Sequence, residues 1–208
     1  KLKPSDTKKL QNANIIFFVS DHLESSVARV FDKLPKNIKI INLMEESGIK
    51  HLAIRDNEAW ERHDHHHGHG DHNDHDKHAK KHDDHDHDKH DKKHDDHDNH
   101  VKKDDVHIWL SPDNAVKIIK KINKELSLYF PENAKTYDKN ANQMIKKINQ
   151  LTFELKNELS GIKDKPYVVF HDAYQYFEKA FGLNAVGSVA LEGDIASSPK
   201  QVSYIKEK

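Results

Sequence analysis

Residues 134–159 read AKTYDKNANQMIKKINQLTFELKNEL, the longest periodic segment of the chain. Apolar side chains recur in it at helical spacing, at Ala134, Tyr137, Ala141, Met144, Ile145, Ile148, Leu151, Leu155 and Leu159. With the turn before it, the stripe covers about 29 residues, on the order of 43 Å of helix at 1.5 Å per residue. A helix of this length is better suited to join two lobes than to pack inside one small domain.

Short apolar runs flank the long helix on both sides. Before it, the spacing predicts a strand, a helix and a strand, over 15–19, 23–34 and 38–43. After it, the same order is predicted over 167–170, 172–181 and 183–189, with Gly182 ending the helix. This alternation predicts an α/β fold with two parallel-sheet lobes joined by a long rigid helix. We expect an N-terminal lobe over 1–130, a linking helix over 131–160 and the start of a C-terminal lobe over 161–208.

Two further helix starts are marked by a capping hydroxyl followed by proline. Ser111-Pro112-Asp113 precedes a segment whose apolar face predicts a helix after the histidine-rich region. Ser198-Pro199 resembles a capping box. The sequence ends at Lys208, about two turns later, and begins abruptly at Lys1, so we expect a fragment of a longer protein.

Residues 63–100 have a composition unlike the rest of the chain. These 38 residues include 15 His, 12 Asp and 6 Lys, and Ala79 is their only aliphatic side chain. Such a segment buries too little apolar surface to offset its chain entropy. We therefore predict that about residues 62–103 lack defined structure without metal.

Composition excludes several classes of function. The 208 residues carry 34 Lys and Arg against 35 Asp and Glu, a net charge of −1 that gives no case for a nucleic-acid partner. Cysteine is absent, so thiolate metal sites, cysteine nucleophiles and disulfides are excluded. No apolar run approaches the roughly 18 to 20 residues of a membrane span, and no signal peptide opens the chain.

The histidine-rich insert predicts metal binding. Imidazole is a common ligand for zinc, copper and nickel, and the neighbouring carboxylates add oxygen donors. A solvated linker without a binding role is the alternative. The predicted weak loop sites are His63, His65, His66, His67, His69, His72, His75, His78, His82, His85, His87, His90, His94, His97 and His100.

Two histidines outside the insert have a different setting. His107 lies in an apolar run before a capped helix, and His171 directly follows a predicted strand. In open α/β sheets, ligands bind at the carboxyl ends of strands, where we place both residues. Each alone could be a hydrogen-bonded core or loop histidine. His22 and His51 have no such support and are interpreted as structural or incidental.

Asp172 leaves two alternatives open. Its carboxylate can accept a hydrogen bond from an imidazole or cap the helix that follows, and the second is favoured.

Four segments carry a family resemblance: residues 2–6 (LKPSD), 10–14 (LQNAN), 106–112 (VHIWLSP) and 170–177 (FHDAYQYF). They resemble the zinc-uptake solute-binding proteins, the ZnuA-like receptors of bacterial ABC importers. The resemblance covers essentially the whole chain, and a His- and Asp-rich loop in the first lobe is typical of the zinc members.

The resemblance implies a function and a site. Zinc (Zn²⁺) would bind in the cleft between the lobes, with His107 as a primary ligand from the first lobe and His171 from the second. Manganese-selective relatives tend to have Glu at the position of His171, so histidine there favours zinc. A further histidine ligand would precede Lys1 and other second-lobe contacts would follow Lys208. The implied protein is a monomer in the periplasm or at the outer face of the cytoplasmic membrane, with a signal peptide upstream and a membrane permease as partner.

Two other classes of protein compete with a transport receptor. A metal store or metallochaperone would have the insert as its whole function, and a signal peptide in the complete gene would argue against it. A metal-dependent hydrolase is the third class, because His171-Asp172 is the dipeptide of the HD phosphohydrolases. Those enzymes carry the pair on helices, whereas here it follows a predicted strand. We therefore expect no catalytic activity.

Overall fold

The computed structural model describes residues 2–46, 48–55, 60, 104–189 and 203. The predicted loop sites, the predicted lack of structure over 62–103 and the helix start at Ser198 all lie outside these residues. In the part of the chain that is described, no helix is both long enough and apolar enough to cross a membrane.

The first sheet consists of two parallel strands. Helix α1 (Pro4–Gln11) leads into β1 (Ile15–Phe18), which pairs with β2 (Lys39–Asn42). The register aligns Ile15 with Lys39. Both strands were predicted, and their ends lie within one residue of the predicted boundaries.

The helix predicted over 23–34 is much shorter than expected. Only α2 (Ser25–Ala28) is α-helical, and a 3-10 turn follows over Phe31–Lys33. The segment is short, and helical spacing alone does not offset the cost of starting a helix when tertiary packing favours another conformation. Leu34 instead packs with the two sheet-side residues Ile16 and Ile38 in a buried cluster.

Two antiparallel helices connect the first sheet to the second. Helix α3 (Pro112–Tyr129) begins as predicted, with the Ser111 hydroxyl accepting the Asn114 backbone N–H at 3.3 Å. A 3-10 turn then leads into α4 (Ala134–Glu158), whose 25 residues span roughly 37 Å. The predicted long helix is therefore confirmed. Its first half packs along α3, whereas Leu151 in its second half is 53% exposed.

The second sheet repeats the strand–helix–strand order. Strand β3 (Pro166–Val169) is followed by α5 (Gln175–Phe181) and by β4 (Asn184–Ser188), which runs parallel to β3. Gly182 ends α5 in the left-handed conformation (φ +70°), which glycine adopts without a Cβ penalty. The predicted α/β architecture, with two parallel sheets and a long helix between them, is thus confirmed.

One expectation about this sheet is wrong. A continuous apolar run such as 167–170 is typical of a strand buried on both faces. In the structure, however, Val169 is buried while Val168 and Phe170 are 44% and 76% exposed. Successive side chains of a strand point to opposite faces, and the described residues cover only one face.

Candidate metal centre

His107 lies at the start of a 3-10 turn, Ile108–Leu110, and not at the end of a strand as the sequence predicted. In the described chain, the nearest preceding pairing is a single antiparallel bridge between Ala53 and Asp104. The apolar residues that suggested a strand instead form the turn, in which Ile108 is fully buried.

His171 lies in the bend between β3 and α5, two residues after the end of the strand and thus near its carboxyl end as predicted. The imidazole ring of His171 faces that of His107, with 5.6 Å between ring centroids and 76° between ring planes. Two imidazoles that share a zinc ion at about 2.0–2.1 Å from each nitrogen have ring centres about 5 to 6 Å apart. The separation of the two ring centres falls in the range expected for rings that share one metal ion.

Asp105 fixes the orientation of the His107 ring. Its Oδ1 lies 2.7 Å from His107 Nδ1 and also accepts the His107 backbone N–H at 2.9 Å. A carboxylate at Nδ1 favours the tautomer with a proton there, which leaves the Nε2 lone pair available to a metal. Asp105 was not predicted as a site residue, although a carboxylate two positions before a histidine was a usable signal.

Gln175, at the start of α5, reaches the same carboxylate from the second half of the chain. Its side-chain amide donates to Asp105 Oδ2 at 3.4 Å and to the Ala53 carbonyl at 3.0 Å. The residue that orients His107 is therefore itself in contact with the helix that follows His171.

Tyr176 anchors α5 in the buried core beside the first sheet. The ring is 2% exposed and packs in a buried cluster with Ile41, Leu43, Ile49, Leu52 and Ile108. Its hydroxyl accepts the Leu52 N–H at 3.0 Å and donates to the Asp105 carbonyl at 2.9 Å. Burial raises the pKa of Tyr176 to about 12, so the hydroxyl keeps its proton and remains a donor at neutral pH.

Arg55 forms a second connection between the part of the chain before the long helix α4 and the part after it. Its guanidinium donates to both carboxylate oxygens of Asp172, one of them from Nε at 3.1 Å, and to Glu178 Oε2 at 2.6 Å. It also stacks on Trp60, 3.4 Å from the ring centroid. Burial raises the pKa of Glu178, an effect that the Arg55 ion pair counteracts. The interpretation of Asp172 as the cap of α5 is wrong, because the N-cap residue of this helix is Tyr174.

The remaining predicted residues lie apart from this pair. His22 lies in an exposed turn, and His51 pairs with Asp104 at 3.1 Å, both consistent with the structural interpretation. Across residues 2–46, 48–55, 60, 104–189 and 203, no three His, Asp or Glu side chains converge as a metal site. The described site is therefore a pair of histidines with the residues that hold them.

Solved structures of metal-bound proteins share this fold. The chain superposes over its full length on a Zn(II)-bound variant of AdcAII from Streptococcus pneumoniae, with a TM-score of 0.66, 22% identity and 63% of that chain covered. A Mn-bound variant of a periplasmic metal binding protein from Candidatus Liberibacter asiaticus gives 0.67, with 22% identity, all of this chain and 61% of that one. The chain therefore shares its fold with these metal-bound proteins.

The sequence identifies the family within this class. A family model described as "Zinc-uptake complex component A periplasmic" matches residues 1–208, and the chain belongs to that family. The high-affinity zinc uptake system protein ZnuA of Brucella abortus is 37% identical over 207 residues, which cover 100% of this chain and 61% of that protein. The ZnuA of Haemophilus ducreyi is 37% identical over 206 residues, covering 99% and 60%. This chain therefore spans about three-fifths of the length of these relatives.

Proposed function

We propose that this protein captures zinc in a cleft between its two sheets and delivers it to the permease of an ABC-type importer. The observation that supports this most directly is the meeting of His107 and His171, with 5.6 Å between ring centroids. Membership in the zinc-uptake family and the zinc-uptake names of its relatives support the same function. Zinc is the cargo and not a resident cofactor.

The ligand chemistry of the pair favours zinc. Neutral imidazole suits zinc, whereas manganese prefers carboxylate and other oxygen ligands. Zinc takes about four ligands, so we expect further ligands from residues outside the described ranges. In this proposal residues 1–130 and 161–208 belong to separate lobes, and 131–160 fixes their separation.

The histidine-rich insert acts in this proposal as a set of weak sites beside the tight one. Its 15 histidines raise the local zinc concentration without a fixed coordination geometry. A storage protein would need only such sites. The paired histidines outside the insert favour a receptor with one defined site.

The place of action and the absence of catalysis also belong to the proposal. The family description names a periplasmic component, which supports capture in the periplasm or at the outer face of the cytoplasmic membrane by a monomeric receptor. His171 and Asp172 lie in a bend and not on a helix, unlike the pair of the HD phosphohydrolases. Transport therefore accounts for the site without a catalytic step.

Zinc uptake by living cells tests the transport function. Deleting the gene in its host should lower the uptake of radioactive zinc at limiting zinc, and the complete protein should restore it. A His171→Ala variant should not restore uptake, whereas deletion of residues 63–100 should leave it largely restored. Normal uptake in the deleted strain, combined with faster loss of stored zinc, would instead support a metal store.

Zinc held by the insert should be lost between about pH 7 and 5.5. Imidazoles with a reference pKa of about 6.5 are half protonated near that pH, and a protonated ring has no lone pair for a metal. Equilibrium titration of the complete protein at several pH values would count the weak equivalents. The variant lacking residues 63–100 is the control. A constant number of weak equivalents across this range would contradict imidazole ligation.

A further inference from the structure

Arg55 lies between two buried carboxylates from the other half of the chain. The Arg55 side chain is 17% exposed, and those of Asp172 and Glu178 are 3% and 6% exposed. Removing two carboxylates from water is costly unless a cation pairs with them in good geometry. Arg55 meets this need because its planar guanidinium donates to both partners at once.

The flat face of the guanidinium is held in place as well, by the indole ring of Trp60. Trp60 lies 3.4 Å away and is itself buried in a cluster with Val169 of β3. Stacking on the indole leaves the edge of the guanidinium free for the two carboxylates. The side chain therefore has one well-defined orientation relative to the second sheet.

The ion pair fixes the bend that carries His171. Asp172 is the next residue along the chain, and a bidentate pair with Arg55 restricts the plane of its carboxylate and hence the local backbone. The peptide is further restricted because the Ala173 N–H donates to the His171 carbonyl at 2.9 Å. The segment that holds Arg55 continues from Ala53, whose bridge to Asp104 leads to Asp105 and His107.

We propose that Arg55 is a positioning residue for the cleft metal site, holding the His171 bend at the distance from His107 that a shared metal ion requires. This inference rests on the proposed function, because it assumes that both histidines bind zinc. Partners that orient metal ligands typically contribute about 10- to 100-fold to metal affinity. Arg55 acts through Asp172, so we expect about a tenfold effect.

The test compares Arg55 with a matched cation elsewhere in the complete protein. Lys121 also joins two carboxylates, Glu46 at 2.7 Å and Glu125 at 3.3 Å. It lies on α3, about 13 Å along the helix axis from Pro112, the first residue of that helix. Arg55→Met and Lys121→Met each remove one shared cation. Arg55→Lys keeps the charge but loses the planar fork, and it provides a variant that folds if Arg55→Met does not. Each variant is measured for unfolding stability, for zinc affinity by chelator competition, and for the visible spectrum with one equivalent of Co²⁺.

The expected results separate positioning from stability. Both Met variants should lose stability, but only Arg55→Met should weaken zinc binding about tenfold and alter the Co²⁺ spectrum. Arg55→Lys should show a smaller change in the same direction. Native zinc affinity and a native spectrum in folded Arg55→Met or in Arg55→Lys would overturn the proposal. Native affinity in His107→Ala and His171→Ala would overturn the cleft function itself, a distinct result that is read from different variants.

Discussion

Replacing either His107 or His171 with alanine should weaken the tight zinc site of the complete protein by about two orders of magnitude or more. The two rings face each other at 5.6 Å between centroids, so each is expected to supply one of about four ligands. A ligand held by the fold loses little entropy on binding, so its loss is not compensated by a neighbouring side chain. Isothermal titration with chelator competition measures the affinity and the one-to-one stoichiometry of the tight phase.

Two controls make this result specific. His51→Ala removes a histidine that also has a carboxylate partner, Asp104 at 3.1 Å, and it should leave the tight phase unchanged. Deleting residues 63–100 should remove several weaker equivalents and keep the tight one. If that deletion abolishes the tight phase while both cleft variants retain it, the insert is the principal site and the cleft assignment is wrong.

The sequence predicted the elements whose signal is local. Apolar runs marked β1 and β2, helical spacing marked α4, and Gly182 marked the end of α5, because periodicity and turn chemistry are properties of neighbouring residues. The predicted helix over 23–34 failed because helical spacing alone does not stabilise a helix in a short segment, where tertiary packing decides the conformation. The strand over 167–170 was placed correctly, but its burial depends on what covers each face.

The residues that hold the histidines in place were not predicted. Arg55 contacts a partner 117 positions away and Tyr176 contacts one 124 positions away, and no local pattern specifies such pairs. Asp172 illustrates the difficulty, because an acidic residue just before a helix is usually interpreted as the N-cap of that helix. Here its carboxylate pairs with Arg55 instead. The histidines were found from their position in the chain and from the resemblance, whereas their supporting contacts required the fold.

Truncating Tyr176 is expected to give the largest loss of stability among the residues that join the two halves. Tyr176→Ala removes a ring that is 2% exposed from the core around β2, which typically costs about 3–5 kcal/mol for a large aromatic side chain. Tyr176→Phe keeps the ring but leaves the Leu52 N–H and the Asp105 carbonyl without their partner, at about 1–3 kcal/mol. Urea unfolding of the zinc-free complete protein measures both changes as losses in the free energy of unfolding.

The two Tyr176 variants also separate packing from the geometry of the metal site. Tyr176→Phe releases the backbone of Asp105, whose side chain orients His107, so zinc affinity should fall by about tenfold although the core remains filled. Tyr129→Phe is the matched control, because that ring is 37% exposed and lies at the end of α3. If Tyr176→Phe unfolds at the same urea concentration as the native protein and binds zinc equally well, the hydroxyl does not connect α5 to the His107 segment. The buried ring alone would then account for the docking of the helix.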